Sequence, residues 1–291
     1  MSSPSPRVRR PRVRGVALAL ALAVSTTTAG VALVAPSATA ATQSVTFTAA
    51  GGTVHYRGPA RLHTGLVSMT YKQGTGGPGV EVWRLKAGYT FKQFNKDAGG
   101  FGVSQPTTAG IKRILSHAWG YGGFATDSHR VKGKLFLNKP GHYVAFWMGP
   151  KGGVLIKNIR VTGHTRKHAR SGASKTVTMR NGARFGGASV LPAKGTIKVW
   201  NRATDSPHFL ILQHVATGTT RAQVMAALQS PNPPTFVRAG MRQTGTLSPN
   251  HWQTLTYSLP KGTYVEMCFF PDPKTGMPHA LMGMVRIVTL K

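Results

Sequence analysis

The sequence predicts an all-β protein made of two tandem β-sandwiches with short helical insertions, and three observations predict it. Apolar and polar residues alternate with a period of two: Ile197 and Val199 against Thr196 and Lys198, and Leu255, Tyr257 and Leu259 against Thr254, Thr256 and Ser258. That is the spacing of a strand with one buried face. Such stretches are short and separated by Gly- and Pro-containing turns, which favours a sandwich. The chain also repeats itself: SVTFTAAGGTVHYRG at 44–58 corresponds to TVTMRNGARFGGASV at 176–190, GLVSMTYKQ at 65–73 to GTIKVWNRA at 195–203, and PGHYVAFW at 140–147 to KGTYVEMC at 261–268. Two copies of one sandwich explain this better than two unrelated folds.

Taken in order, residues 1–40 read as an export signal. Arg7, Arg9, Arg10, Arg12 and Arg14 precede an apolar run over 15–24, and Ala38-Thr39-Ala40 before Ala41 fits the A-x-A cleavage pattern. The Arg9-Arg10 pair leaves a twin-arginine signal open beside a generic basic leader. No later stretch could cross a membrane. Residues 41–163 form the first predicted sandwich, with helical insertions over 89–97 and 111–119. The basic, Gly- and Ser-containing segment 164–173 lacks apolar periodicity and reads as a linker. Residues 174–291 form the second sandwich, with a helix over 221–229 that takes Thr219 or Thr220 as N-cap and turns Val224, Ala227 and Leu228 to one face.

The chain carries 37 Lys and Arg against 6 Asp and Glu, a formal charge of +31. Loss of the five leader arginines would leave +26. Such a balance either attracts anionic cell-wall polymers and other polyanions through a salt-sensitive field or keeps an exported protein soluble. The cations are dispersed over both halves without aromatic interleaving, which argues against a specific nucleic-acid reader. Six acids offer no convincing glycosidase pair, and G-x-S-x-G and Walker motifs are absent.

A single cysteine, Cys268, excludes an internal disulfide framework. An exported lone thiol is expected to be buried or occupied. Eleven residues on stands His279, then Met284, and upstream His208 follows Pro207 in VWNRATDSPHFLIL. A thiolate, imidazoles and a thioether suit copper far better than Mg²⁺ or Ca²⁺, although Zn²⁺ or Cu(I) would accept the same donors. Cys268 as an inert buried hydrophobe is the competing reading.

At these residues the chain resembles the cupredoxins, the Greek-key β-sandwich blue-copper proteins. Gly262-Thr263-Tyr264 followed by three residues and Cys268 resembles that family's G-x-Y-x-x-x-C strand, His279-x4-Met284 with Gly283 its ligand loop, and Asn201 to His208 the strand end carrying its first histidine. The ten residues between Cys268 and His279 are closer to the copper nitrite reductase type than to the smallest cupredoxins. The resemblance covers residues 174–291. It implies one type 1 copper held by His208, Cys268, His279 and an axial Met284, with Met282 as a competing axial candidate more readily explained as core. It also implies that Asn201 ties the ligand loops together, a role that competes with an ordinary turn residue, and that Phe209, Phe269 and Phe270 form a dry shell.

The first copy lacks this set: Trp147 stands where the second has Cys268, Gly79 after Pro78 stands where it has His208, and MGPKGGVLIKNIRV is shorter and has no histidine. The resulting expectation is a secreted or envelope-associated protein that transfers single electrons to an unidentified redox partner, or handles copper outside the cell. The residues flanking Cys268 are Met267 and Phe269 rather than histidine, and His-x-His pairs are absent, so multicopper oxidase chemistry is unsupported. The alternative is a metal-free envelope module that holds polyanions by its charge.

Overall fold

The period-two stretches are strands, and they bury the side that the pattern marks. The structure is a computed structural model that describes residues 43–73, 79–102, 104–149 and 152–291; the expected export signal and Pro78 lie outside the described residues. Ile197 and Val199 are fully buried in one strand and Leu255 in another. Thr254 departs from the expected polar face: it is 1% exposed, and its hydroxyl accepts a hydrogen bond from the Lys134 N–H of the first half.

In the first half the strands are β1 (Gln43–Ala50), β2 (Thr53–Arg57), β3 (Arg61–His63), β4 (Gly65–Lys72), β5 (Val80–Leu85), β6 (Ala118–Thr126), β7 (Arg130–Leu137), β8 (Gly141–Gly149) and β9 (Gly152–Thr162). The second half has β10 (Lys175–Arg180), β11 (Arg184–Gly187), β12 (Val190–Leu191), β13 (Lys194–Asn201), β14 (Ile211–Val215), β15 (Val237–Thr244), β16 (Trp252–Ser258), β17 (Gly262–Met267) and β18 (Val285–Leu290). One sheet runs β11-β10-β13-β16-β7-β4-β1-β2 and the other β12-β18-β17-β14-β15-β6-β5-β8-β9-β3. With β10 to β18 set against β1 to β9, each order reads the same from either edge. Both sheets are mixed: β1 runs parallel to β4 and β10 to β13 in the first, and β3 to β9 and β12 to β18 in the second.

Each sheet passes from one half into the other without a break. β16 pairs with β7, and β15 pairs with β6 through Arg242↔Thr126, Gln243↔Ala125 and Thr244↔Phe124. Buried polar groups hold the seam where the ladders thin. The Gln253 side chain accepts from the Gly123 N–H and donates to its carbonyl, and Ser248 accepts from the Gly120 N–H. Gly122 has φ +104°, and a Cβ there would fall 1.7 Å from the Gln253 Oε1, so both its conformation and its neighbour require glycine. One core cluster then spans both halves, from Phe47 and Tyr71 to Leu212 and Met284.

The helices are α1 (Phe91–Asp97), α2 (Gly99–Gly102), α3 (Thr108–His117) and α4 (Arg221–Gln229). α4 starts after Thr220, which closes a capping box with Gln223, and Thr90 with Gln93 does the same for α1. α3 begins at Thr108 rather than 111, because the Thr107 hydroxyl caps it by accepting from the Gly110 N–H. Trp119, expected at the helix end, belongs to β6. No helix among the described residues is long and apolar enough to cross a membrane. Residues 164–173 carry no strand or helix, but the His164 carbonyl accepts from Thr64 and the Arg166 N–H donates to Asn138.

Candidate metal centre

Three chain segments converge at one end of the second half. His208 lies just before β14, where its N–H and carbonyl exchange hydrogen bonds with Leu247. Asn201, fully buried at the end of β13, fixes that approach: its amide donates to the carbonyls of Ser206 and Leu247, and its oxygen accepts from the Ala203 N–H. Asn201 therefore ties the loops beside His208 together and also forms the turn after β13. Cys268 follows β17, whose pairing with β14 sets it opposite the His208 end of that strand. His279 is placed by the ten-residue loop, which folds back so that its N–H donates to the Phe270 carbonyl at 3.0 Å. Met284 donates its own N–H to the His279 carbonyl at 2.9 Å.

The resulting cluster is compact and dry. His208 Nδ1 and His279 Nδ1 are 3.0 Å apart, and the Cys268 Sγ is 3.8 Å from the first and 3.9 Å from the second. All three residues are buried. A triangle with sides of 3.0, 3.8 and 3.9 Å has a circumradius of about 2.1 Å, close to metal–imidazole and metal–thiolate bond lengths of roughly 2.0 to 2.3 Å. One metal ion therefore fits all three donors together. Met284 is fully buried in the same apolar cluster as Cys268, whereas Met282 is 45% exposed. The core placement expected for Met282 is thus corrected: it lies on the turn after His279, facing outward.

Burial sets the protonation of each group. It pushes the Cys268 thiol up to about 12, against the opposing effect of backbone N–H groups of Phe209 and Phe270 aimed at the sulfur. Burial, and then the neighbouring His279, pushes His208 down to about 3. His279 is lowered by burial too, partly offset by Asp272 and Asp205. Both imidazoles are therefore neutral near pH 7, the state a metal ligand needs, and the thiol carries the proton that a metal would displace. The buried His208 Nε2 has no hydrogen-bond partner among the described residues.

The aromatic shell is only partly as expected. The Phe209 N–H donates to the Cys268 Sγ at 3.4 Å, and the Phe270 ring lies 6.1 Å from that of His279. Phe269 is 36% exposed and does not close the site. In the first half, Trp147 on β8 is 8% exposed and pairs with Val80 of β5. Of the other His and Met residues in this half, His214 stacks on Tyr264, His251 packs edge-on against Tyr121, and Met277 is 47% exposed. Glu81 was not singled out by sequence reasoning, yet its carboxylate is buried beside this region; the signal was an acid inside the apolar run VEVW.

No protein-family model and no curated protein matches the chain. Among solved structures, the chain is similar to the dithionite-reduced auracyanin of Roseiflexus castenholzii at 23% identity, over 41% of this chain and 99% of that one, with a TM-score of 0.27. It is similar to auracyanin A of Chloroflexus aurantiacus, described as a blue copper protein, at 18% identity over 40% and 99%, with a TM-score of 0.23. The copper-containing nitrite reductase of Thermus scotoductus matches at 11% identity over 86% of this chain and 61% of that one, with a TM-score of 0.22. At these scores the functional reading rests on the His–Cys–His geometry of this chain.

Proposed function

We propose that the chain is an exported copper protein that holds one mononuclear type 1 copper at His208, Cys268 and His279, with Met284 as the axial donor, and uses it for single-electron transfer or for handling copper outside the cell. The observation that carries this is the buried triangle of two imidazole nitrogens and one cysteine sulfur, all within 4 Å of one another. That donor set suits copper, which when bound supplies a one-electron couple. The chain's own residues hold the imidazoles neutral, orient them through Asn201 and the Cys268–His279 loop, and keep bulk water from the sulfur. The palindromic strand order and the three matching sequence pairs support a duplicated sandwich whose first copy, 41–163, lacks the ligands and whose second, 174–291, keeps them.

The net charge of +31 supports retention at an anionic envelope as a companion property, with metal-free polyanion binding as the second reading. Titration of the reduced chain with Cu(II), followed from about 400 to 800 nm, separates the two. Thiolate-to-copper charge transfer gives an intense band near roughly 450 or 600 nm, saturating at one equivalent and absent from Cys268→Ala. A colourless titration, with no tightly held Cu(I) or Zn²⁺ by metal analysis, removes the copper reading. Salt-sensitive binding to wall polymer would then carry the second.

A further inference from the structure

Glu81 is a buried acid that the metal centre does not use. Three acids of this chain are less than a tenth exposed: Glu81 at 5%, Asp97 at 7% and Glu266 at 0%. Asp97 pairs with Arg113 at 2.6 Å and Glu266 with Arg286 at 2.7 Å. Among the described residues, Glu81 has no cation within 4.0 Å, in a protein with 37 lysines and arginines. Its carboxylate accepts from the Trp83 indole N–H and from the N–H and hydroxyl of Thr246. These donors are neutral, and burial raises the Glu81 pKa above the ordinary carboxylate value despite them, so the acid lacks the cation that would hold it ionised.

The same carboxylate lines a half-open cavity of about 290 Å³. Trp83, Phe94, Ile114, Phe209, Phe270 and Pro278 are among the residues that line it. An apolar cavity of about 150 Å³ accommodates benzene, so this one has room for a ring with a short side arm. A buried carboxylate without a counter-ion carries a desolvation cost that an incoming cation relieves, and aromatic walls favour a cation over a neutral group. We infer that this cavity is a binding site for a small hydrophobic ammonium compound, an aromatic or alkyl amine whose charged nitrogen meets Glu81 while its apolar body lies among Trp83, Phe94 and Phe270. The site goes beyond the copper reading and does not rest on it. It is nevertheless next door, because Phe209 follows His208, Phe269 follows Cys268 and Pro278 precedes His279, and all three line the cavity.

The test uses the full reduced chain with no metal added, so its outcome is independent of copper. Benzylamine, benzyl alcohol and toluene are each titrated at neutral pH while the indole N–H resonance of Trp83 is followed by NMR. Benzylamine is expected to shift that resonance saturably, at least tenfold more tightly than benzyl alcohol or toluene. Glu81→Gln should reduce the preference for the amine about tenfold, and Ile114→Trp, which fills the cavity, should abolish the shift. No saturable shift, equal affinity for amine and alcohol, or undiminished amine preference in Glu81→Gln overturns the assignment. Should Glu81→Gln fail to fold, the amine-to-alcohol ratio in the unaltered chain decides alone.

Discussion

The Nδ1 atoms of His208 and His279 lie 3.0 Å apart across 71 residues of sequence. Two imidazoles that close cannot both be charged, and burial keeps both neutral, so the pair is fixed in a state that can donate two lone pairs to one ion once each Nδ1 is free of its proton.

One proton should leave for each metal ion bound. With His208 held down to about 3 and the Cys268 thiol pushed up to about 12, the thiol is the group that gives up a proton at pH 7. A shift of an imidazole proton from Nδ1 to Nε2 releases none. A pH-stat titration with Cu(I) or Zn²⁺ is expected to record one proton per ion, and none in Cys268→Ala.

Met284 separates metal tuning from core packing. Met284→Leu nearly conserves volume and should cost under about 1.5 kcal/mol, whereas Met284→Ala, at a position 0% exposed, should cost about 2–5 kcal/mol by denaturant unfolding. In the copper form the loss of the thioether donor in Met284→Leu should raise the reduction potential, and the amide oxygen of Met284→Gln should lower it, while the one-to-one stoichiometry persists.

Asn201→Ala should act on stability and on the site together. Three buried hydrogen bonds are lost, to Ser206, Leu247 and Ala203, and the stranded backbone groups make a cost of about 2–4 kcal/mol reasonable. Because Leu247 also pairs with His208, copper affinity should fall by more than tenfold, read by competition with a chelator of known affinity.

The metal-free chain should show opposed pH terms. His208 has a folded pKa of about 3 against an ordinary 6.5, so the unfolded chain binds its proton first and stability falls as pH drops through that window. Burial raises Glu266 to about 7 from an ordinary 4.5, despite the Arg286 ion pair, so the folded chain binds this proton first and stability rises as pH drops from about 7 to 4.5. Glu266→Gln removes the second effect. Its unfolding midpoint should fall more steeply than that of the unaltered chain between pH 7 and 4.5, with each group contributing at most about 1.4 kcal/mol per pH unit.

Much of the fold was legible because the relevant signals are local. Period-two alternation marked β13 and β16, and the Thr219-Thr220 pair marked the start of α4, which the structure assigns to Thr220. Thr254 misled because its hydroxyl is taken up by the Lys134 N–H of the neighbouring strand β7 from the other half, a fact set by strand pairing and not by neighbours in sequence. Met282 misled in the opposite direction, since a turn after His279 directs it outward while Met284, two residues on, is directed into the core.

The sequence by itself determined the strand-rich class and the donor types, because side-chain period and ligand chemistry are properties of residues and their close neighbours. Only the tertiary structure decided that both sheets run unbroken through the two halves, that His208, Cys268 and His279 meet within 4 Å, and that Glu81 shares a cavity with their chain neighbours and has no cation beside it among the described residues. Apart from the 11-residue step from Cys268 to His279, those facts depend on strand pairing and burial between residues 60 to 165 positions apart, and in such pairings the partner is chosen by the packing of the whole core.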